Sequence, residues 1–197
     1  MAIVNDYNAF LVPDDVTDIQ ASLVEPAAVA VHAVDRADVK QGDSVLISGY
    51  GPIGALCALA AKAAGAGQIF ITETNPKRLE MARSLFPDAI LVNPREEDLP
   101  AIVRDNTEEG VGVHSAIECA GVGPALNGCV AVVRRQGTIV QIGLQTQPVS
   151  VDLLAWTFRD LIVRGSICYP SDSWPRVMEL IASGNFPVEK IVTDIVP

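Results

Sequence analysis

Gly49, Gly51 and Gly54 stand in the order G-x-G-x-x-G within Gly49-Tyr50-Gly51-Pro52-Ile53-Gly54. That spacing suits a tight turn whose backbone faces an anion. The first glycine permits the turn, the second lets the backbone approach a phosphate, and the third brings a helix close to the sheet. Ser44-Val45-Leu46-Ile47-Ser48, just upstream, is a short apolar run of the kind buried in a parallel sheet. Downstream, Pro52 to Ala66 is rich in alanine and leucine, with Pro52 in the first turn, where a missing N–H costs little. A second apolar run, Gln68-Ile69-Phe70-Ile71-Thr72, leads into Glu73, about twenty residues past the last glycine. Strand, turn, helix, strand and acid together predict a dinucleotide site. Backbone amides between Tyr50 and Gly54 would hold the pyrophosphate. Glu73, with Thr74 beside it, would accept hydrogen bonds from both hydroxyls of the adenosine ribose. A carboxylate there repels a 2′-phosphate, so the expected cofactor is NAD rather than NADP. The competing reading of the glycines is a turn that binds nothing, and of Glu73 a solvated acid.

The elements that would position these residues alternate strand and helix. Asn75 can cap a helix from Pro76 through Leu85, Ala89 to Val92 reads as a third strand, and Asp98 to Asp105 has helical spacing. Val113 to Cys119 is a fourth strand. Pro124 to Arg134 follows as a helix, with Arg134 and Arg135 placed at its negative end. Thr138 to Ile142 and Leu161 to Ile167 are the fifth and sixth strands. Repeated units of this length predict an α/β fold, a doubly wound parallel sheet of six strands with helices on both faces, with ligands at the carboxyl ends of the strands. Outside this sheet, helices are expected over Ile19 to Val24, over Ala27 to Val34 after Glu25-Pro26, and over Trp174 to Ser183. The expected division is 1–26 as tail and linker, 27–168 as the nucleotide-binding domain, and 169–197 as a return segment.

Composition narrows the partners. The 197 residues carry a formal net charge of −10 with no basic stripe, which argues against nucleic acid or an anionic membrane. Cys57, Cys119, Cys129 and Cys168 are scattered among apolar residues without a C-x-x-C pair, so reduced thiols are expected. Met1 to Asp6 has neither a basic nor an apolar leader region, and the uncharged stretch Ser44 to Ala61 is broken by its glycines and proline. The expected location is the cytoplasm.

Beyond these local patterns, Leu23-Val24-Glu25-Pro26-Ala27-Ala28-Val29-Ala30-Val31-His32-Ala33-Val34 followed by the glycine turn resembles the zinc-dependent medium-chain dehydrogenases. The similarity is to their polyol branch, the sorbitol and 2,3-butanediol dehydrogenases. Glu118-Cys119-Ala120-Gly121, Val163-Arg164-Gly165-Ser166, Trp174-Pro175 and Gly184-Asn185-Phe186-Pro187 match further segments. The resemblance implies hydride transfer between a secondary alcohol and NAD, with zinc holding the alcohol. It places Ile53 behind the nicotinamide and Arg78 at the adenosine ribose. Cys119, Ala120 and Gly121, then Ile142, Gly143 and Leu144, would lie along the dinucleotide, while backbone groups of Ile142, Ser166 and Cys168 would hold its carboxamide. Glu25 matches an acid beside the catalytic zinc; a favourable charge at a helix start is its plainer role. His32 and His114 read as structural. Cys168 stands where sorbitol dehydrogenases often carry arginine, which leans the reading towards diols.

The other zinc ligands of that family have no match in this chain, so the expectation is a fragment that binds NAD without turnover and holds no metal. Dimers or larger homo-oligomers are implied by the family and by an exposed sheet edge near Leu153 to Trp156 or Leu161 to Ile167. Two other functions stay open. One is a stand-alone nucleotide-binding or sensor module. The other is an S-adenosylmethionine methyltransferase, against which the Gly-Pro-x-Gly helix start argues.

Overall fold

The computed structural model describes Asn5 and residues 9–196; residues 1–4, 6–8 and 197 lie outside the described residues, and with them most of the stretch read above for a leader. Two helices open the described chain, α1 (Asp18–Ser22) and α2 (Val24–Ala37). The alternating core follows as β1 (Ser44–Ser48), α3 (Pro52–Ala63), β2 (Gln68–Thr72), α4 (Pro76–Leu85), β3 (Ile90–Val92) and α5 (Leu99–Asp105). It continues with β4 (Val113–Glu118), α6 (Gly123–Val132), β5 (Val133–Gln141), α7 (Leu153–Phe158) and β6 (Ile162–Gly165), and then α8 (Ser173–Ala182) and a short 3-10 helix at Val188–Ile191. Every strand pair is parallel, and the order across the sheet is β3-β2-β1-β4-β5-β6. The order reverses between β1 and β4, the switch point where ligands of open α/β sheets bind. This is the expected six-stranded Rossmann architecture.

Local chemistry sets the helix starts. The Asn75 side chain accepts the N–H groups of Lys77 and Arg78, Asp98 accepts from Ala101, and Asp152 accepts from Leu154 and Ala155. Residues of the central strands alternate between two apolar layers. Val45, Ile47, Ile71, Ile117 and Val140 pack with α2, α3 and α8, while Leu46, Phe70, Ala116 and Ile139 pack with α5 and α6. β1 is buried along its whole length, as a central parallel strand must be.

Several boundaries differ from the sequence reading, among them the start of α2, at Val24 rather than Ala27. Helix α6 stops at Val132, and Arg134 and Arg135 belong to β5 rather than to a helix end. The buried pair Val132-Val133 carries the chain straight from helix to strand, and the β4–β5 register breaks between Val113 and Ser115. Arg135 is tied to the connection before β6, donating to the Phe158 carbonyl at 2.9 Å and to Asp160 at 2.5 Å. Helix α3 ends at Ala63 instead of Ala66, ahead of Gly65. Leu153 to Trp156, expected at a sheet edge, lies within the short helix α7.

The return segment is part of the core. Phe186 has 0 % of its surface exposed and joins the layer built by α2, α3 and α8. Phe186→Ala should therefore cost about 3–4 kcal/mol of stability in urea unfolding. A loss below about 1 kcal/mol would mean that this segment only drapes over the fold.

Candidate functional site

Where β1 hands over to α3, Gly49 adopts φ 99° and its N–H donates to the Thr72 carbonyl at 2.9 Å, which hooks the turn to β2. A Cβ on Gly54 would overlap the Gly49 carbonyl oxygen and lie 2.9 Å from its carbon, whereas Cys119 Cβ would be in ordinary contact at 3.6 Å. The third glycine thus makes room first for the turn's own carbonyl, and only then for the sheet. A Cβ on Gly51 would meet nothing within 4 Å, so the turn is open on that side. Ala55 N–H bonds back to the Gly51 carbonyl at 2.9 Å. Among the described residues, the N–H groups of Gly51, Ile53 and Gly54 have no acceptor from the protein, as befits a helix start. They are the amides left for a ligand.

Tyr50 N–H is not among them. It donates to Glu73 Oε2 at 3.1 Å. Glu73 is buried, and its Oε1 accepts Thr74 N–H at 2.7 Å and Asn75 N–H at 2.8 Å. The half-exposed Arg78 guanidinium stands 3.6 Å from Oε2. The carboxylate foreseen as a reader of ribose hydroxyls therefore also pins the end of β2 to the glycine turn. Beside the turn lies a cavity of about 260 Å³, lined by Tyr50, Gly51, Pro52, Arg78, Lys190 and Thr193 among others, with no acid in its walls. Lys190 and Thr193 were not foreseen. They lie far along the chain on the return segment, and nothing local marks them.

The remaining predicted residues line the carboxyl ends of β4, β5 and β6. Cys119 is half-buried, Ala120 is exposed, and Gly121 adopts φ 67°. Ile142 is buried while Leu144 projects with 76 % of its surface exposed. Ser166 is buried, its N–H donating to the Gln141 carbonyl at 2.9 Å and its Oγ without a partner. Cys168 is exposed at φ 51°. Beneath these loops sits Glu118, which sequence reasoning passed over as a candidate. The clue was an acid ending an otherwise apolar strand, the pattern that drew attention to Glu73. Burial pushes its carboxyl above the ordinary range, against the hydrogen bonds it accepts from the Gly121 backbone, the Gln141 side chain and the Ala120 backbone.

Glu25 stands apart, in the first turn of α2, exposed and accepting the Tyr169 hydroxyl at 3.2 Å. Among the described residues no three His, Cys, Asp or Glu side chains are grouped as a metal requires. The described residues therefore do not fit a zinc centre. His114 lies at the opposite, amino end of the sheet, where its Nδ1 accepts Ser44 N–H at 3.1 Å and burial pushes its pKa down. The four cysteines are free thiols, and no described helix is long and apolar enough to cross a membrane.

Residues 52–183 match the family model described as zinc-binding dehydrogenase. The chain is 36% identical over 188 residues to the sorbitol dehydrogenase of Bacillus subtilis, covering 94% of this chain and 52% of that protein. It is 33% identical over 190 residues to the probable D-xylulose reductase A of Aspergillus terreus, covering 95% and 54%. The solved structure of 2R,3R-butanediol dehydrogenase from Bacillus subtilis superposes with a TM-score of 0.87 at 34% identity, over 93% of this chain and 52% of that one. The chain spans about half the length of the curated relatives it matches.

The packing at residue 54 yields a direct expectation. Gly54→Ala should destabilise the fold by about 2 kcal/mol, because the gain in helix propensity is smaller than the cost of moving the Gly49 carbonyl. Urea unfolding measures it, and a variant as stable as the parent would contradict the turn described above.

Proposed function

Because the chain belongs to the zinc-binding dehydrogenase family, we propose that its sheet binds NAD as the coenzyme-holding part of an enzyme that moves a hydride between a secondary alcohol and the nicotinamide. The observation that carries this reading is the set of unpaired amides at Gly51, Ile53 and Gly54, opening at the sheet's switch point beside a cavity walled by Arg78 and Lys190. Those amides hold the pyrophosphate. Glu73 and Arg78 meet the adenosine ribose, with Thr74 next to them. Ile53 backs the nicotinamide, the loops Cys119–Gly121 and Ile142–Leu144 run along the dinucleotide, and Ser166 and Cys168 hold the carboxamide through their backbones. NAD supplies the hydride chemistry when bound; the protein binds and orients it.

The names of the relatives, sorbitol dehydrogenase, D-xylulose reductase and butanediol dehydrogenase, support a diol or polyol substrate. Glu25, steadied by Tyr169, belongs to the alcohol side of the reaction in the longer protein. We place the enzyme in the cytoplasm and as a homo-oligomer. The support for oligomers is apolar surface at the sheet edge, where Leu153, Leu154, Phe158 and Ile162 are exposed.

Calorimetric titration of the chain with NAD, NADP and S-adenosylmethionine tests the assignment, and preferential binding of S-adenosylmethionine overturns it. Gly51→Val should raise the Kd for NAD at least about tenfold while moving stability by less than about 1 kcal/mol, since its side chain enters only the ligand's space. Glu73→Ser should raise NADP affinity relative to NAD, while weakening both because Tyr50 N–H loses its acceptor. An unchanged ratio removes Glu73 as the discriminating residue.

A further inference from the structure

We propose that Glu118 is the positioning residue of this site: its buried carboxylate, linked to Gln141, fixes the loop after β4 against the loop after β5, and nucleotide affinity depends on that link. The inference rests on the nucleotide-binding reading above.

Glu118 ends β4 with 0 % of its surface exposed. Its Oε1 accepts Ala120 N–H at 2.8 Å and Gly121 N–H at 2.9 Å. Its Oε2 accepts Gly121 N–H at 3.2 Å and the Gln141 amide at 2.5 Å. The same Gln141 Nε2 donates to the Gly143 carbonyl at 2.7 Å. The main-chain carbonyl of Glu118 accepts Ile142 N–H at 3.0 Å and Gly143 N–H at 2.8 Å. One residue thus gathers donors from both loops. The loops also touch each other: a Cβ on Gly121 would lie 3.0 Å from the Leu144 carbonyl oxygen. A Cβ on Gly143 would come within 2.5 Å of Glu118 Oε2, so the carboxylate occupies the place a side chain at 143 would need. The residues held in this way are Ala120, Gly121, Ile142 and Gly143, all assigned to the dinucleotide. Glu118 itself is sealed beneath them and acts through them.

The titratable groups facing Glu118 are the thiols of Cys119 beside it and Cys129 on α6. The Cys57 thiol, then burial, pushes Cys119 well up, and burial pushes Cys129 to about 12. Both stay protonated at neutral pH, so the carboxyl of Glu118, raised by its burial, is the titrating group of this cluster on acidification. Protonation puts a hydrogen on an oxygen that now accepts and removes the charge that holds Gln141. The two consequences have opposite signs. Because burial raises the folded-state pKa, this residue's contribution to stability is fully present below the ordinary carboxylate range and is lost as pH rises through the raised value. Nucleotide affinity follows the ionised form, so it falls as pH falls through that same value.

The test is NAD titration of the parent chain, Glu118→Gln, Gln141→Met and the double variant over a pH series descending from neutral through the ordinary carboxylate range, with melting temperatures alongside. Glu118→Gln keeps an oxygen for Ala120 and Gly121 but sets an NH₂ group against the Gln141 amide, mimicking the protonated acid. Its Kd should be about tenfold higher than the parent's at neutral pH. The parent's Kd should rise on acidification while that of Glu118→Gln stays flat. Gln141→Met should shift Kd in the same direction, and the double variant should add little to either single change. Parental Kd values in both single variants overturn the proposal. So does a Kd that rises only in step with a falling melting temperature and keeps the parent's pH slope. A parent chain that fails to bind NAD at all overturns the nucleotide-binding reading, and this proposal falls with it.

Discussion

The Gly49 carbonyl occupies the space that any side chain at position 54 would fill, and the rest of the site follows from that approach. It lets β1 turn into α3 through only Gly49, Tyr50 and Gly51, so the first amides of α3 emerge at the carboxyl edge of the most deeply buried strand. Neighbouring strand ends are tied to the same point. Gly49 N–H reaches the carbonyl of Thr72, the last residue of β2, and Cys119 N–H bonds to the carbonyl of Ser48, the last residue of β1, at 2.8 Å. The turn is therefore a fixed part of the sheet, and amides held rigidly bind an anion without the entropy cost of ordering a loop.

Two buried carboxylates organise what surrounds the turn. Glu73 and Glu118 both end at a strand's carboxyl edge, and both bond to backbone N–H groups of the loops that follow. Hydrogen bonds to a charged acceptor are worth about 1.5–3 kcal/mol each, more than neutral ones, so each acid sets its loop more firmly than further backbone pairing would. The cost is negative charge close to a site proposed for phosphates. Arg78 and Lys190 face that site, and they are the compensating cations in a chain of net charge −10.

Much of this was legible because it is local. The glycine turn, both flanking strands and the Asn75 cap each follow from a few adjacent residues, and their bounds agree closely with the structure. The helix–strand junction at Val132-Val133 was misread because no glycine or proline marks it; the chain changes conformation within a run of valines. The role of Glu118 depends on Gln141 and Gly143, which come near it only once β5 lies beside β4. Lys190 reaches the cavity only after the chain has crossed the whole sheet and returned. Pattern reading finds elements and their caps; it does not find side chains whose partners are set by topology.

In the proposed complex the same geometry weighs on the choice between NAD and NADP. A 2′-phosphate about 4 Å from the Glu73 carboxylate would be repelled by about 4 kcal/mol per unit charge at an effective dielectric constant near 20. Arg78 stands 3.6 Å from that carboxylate with half its side chain exposed, so the phosphate would meet a cation at a comparable distance. The two terms nearly cancel. What remains is the difference in how each group is held. Glu73 is fixed by three backbone N–H groups, whereas Arg78 must give up side-chain freedom to follow the phosphate, at a cost of up to about 2 kcal/mol. A preference for NAD that rests on such a remainder is at most about thirtyfold. It is tuned more readily at Arg78, whose position is soft, than at Glu73, whose position the glycine turn requires.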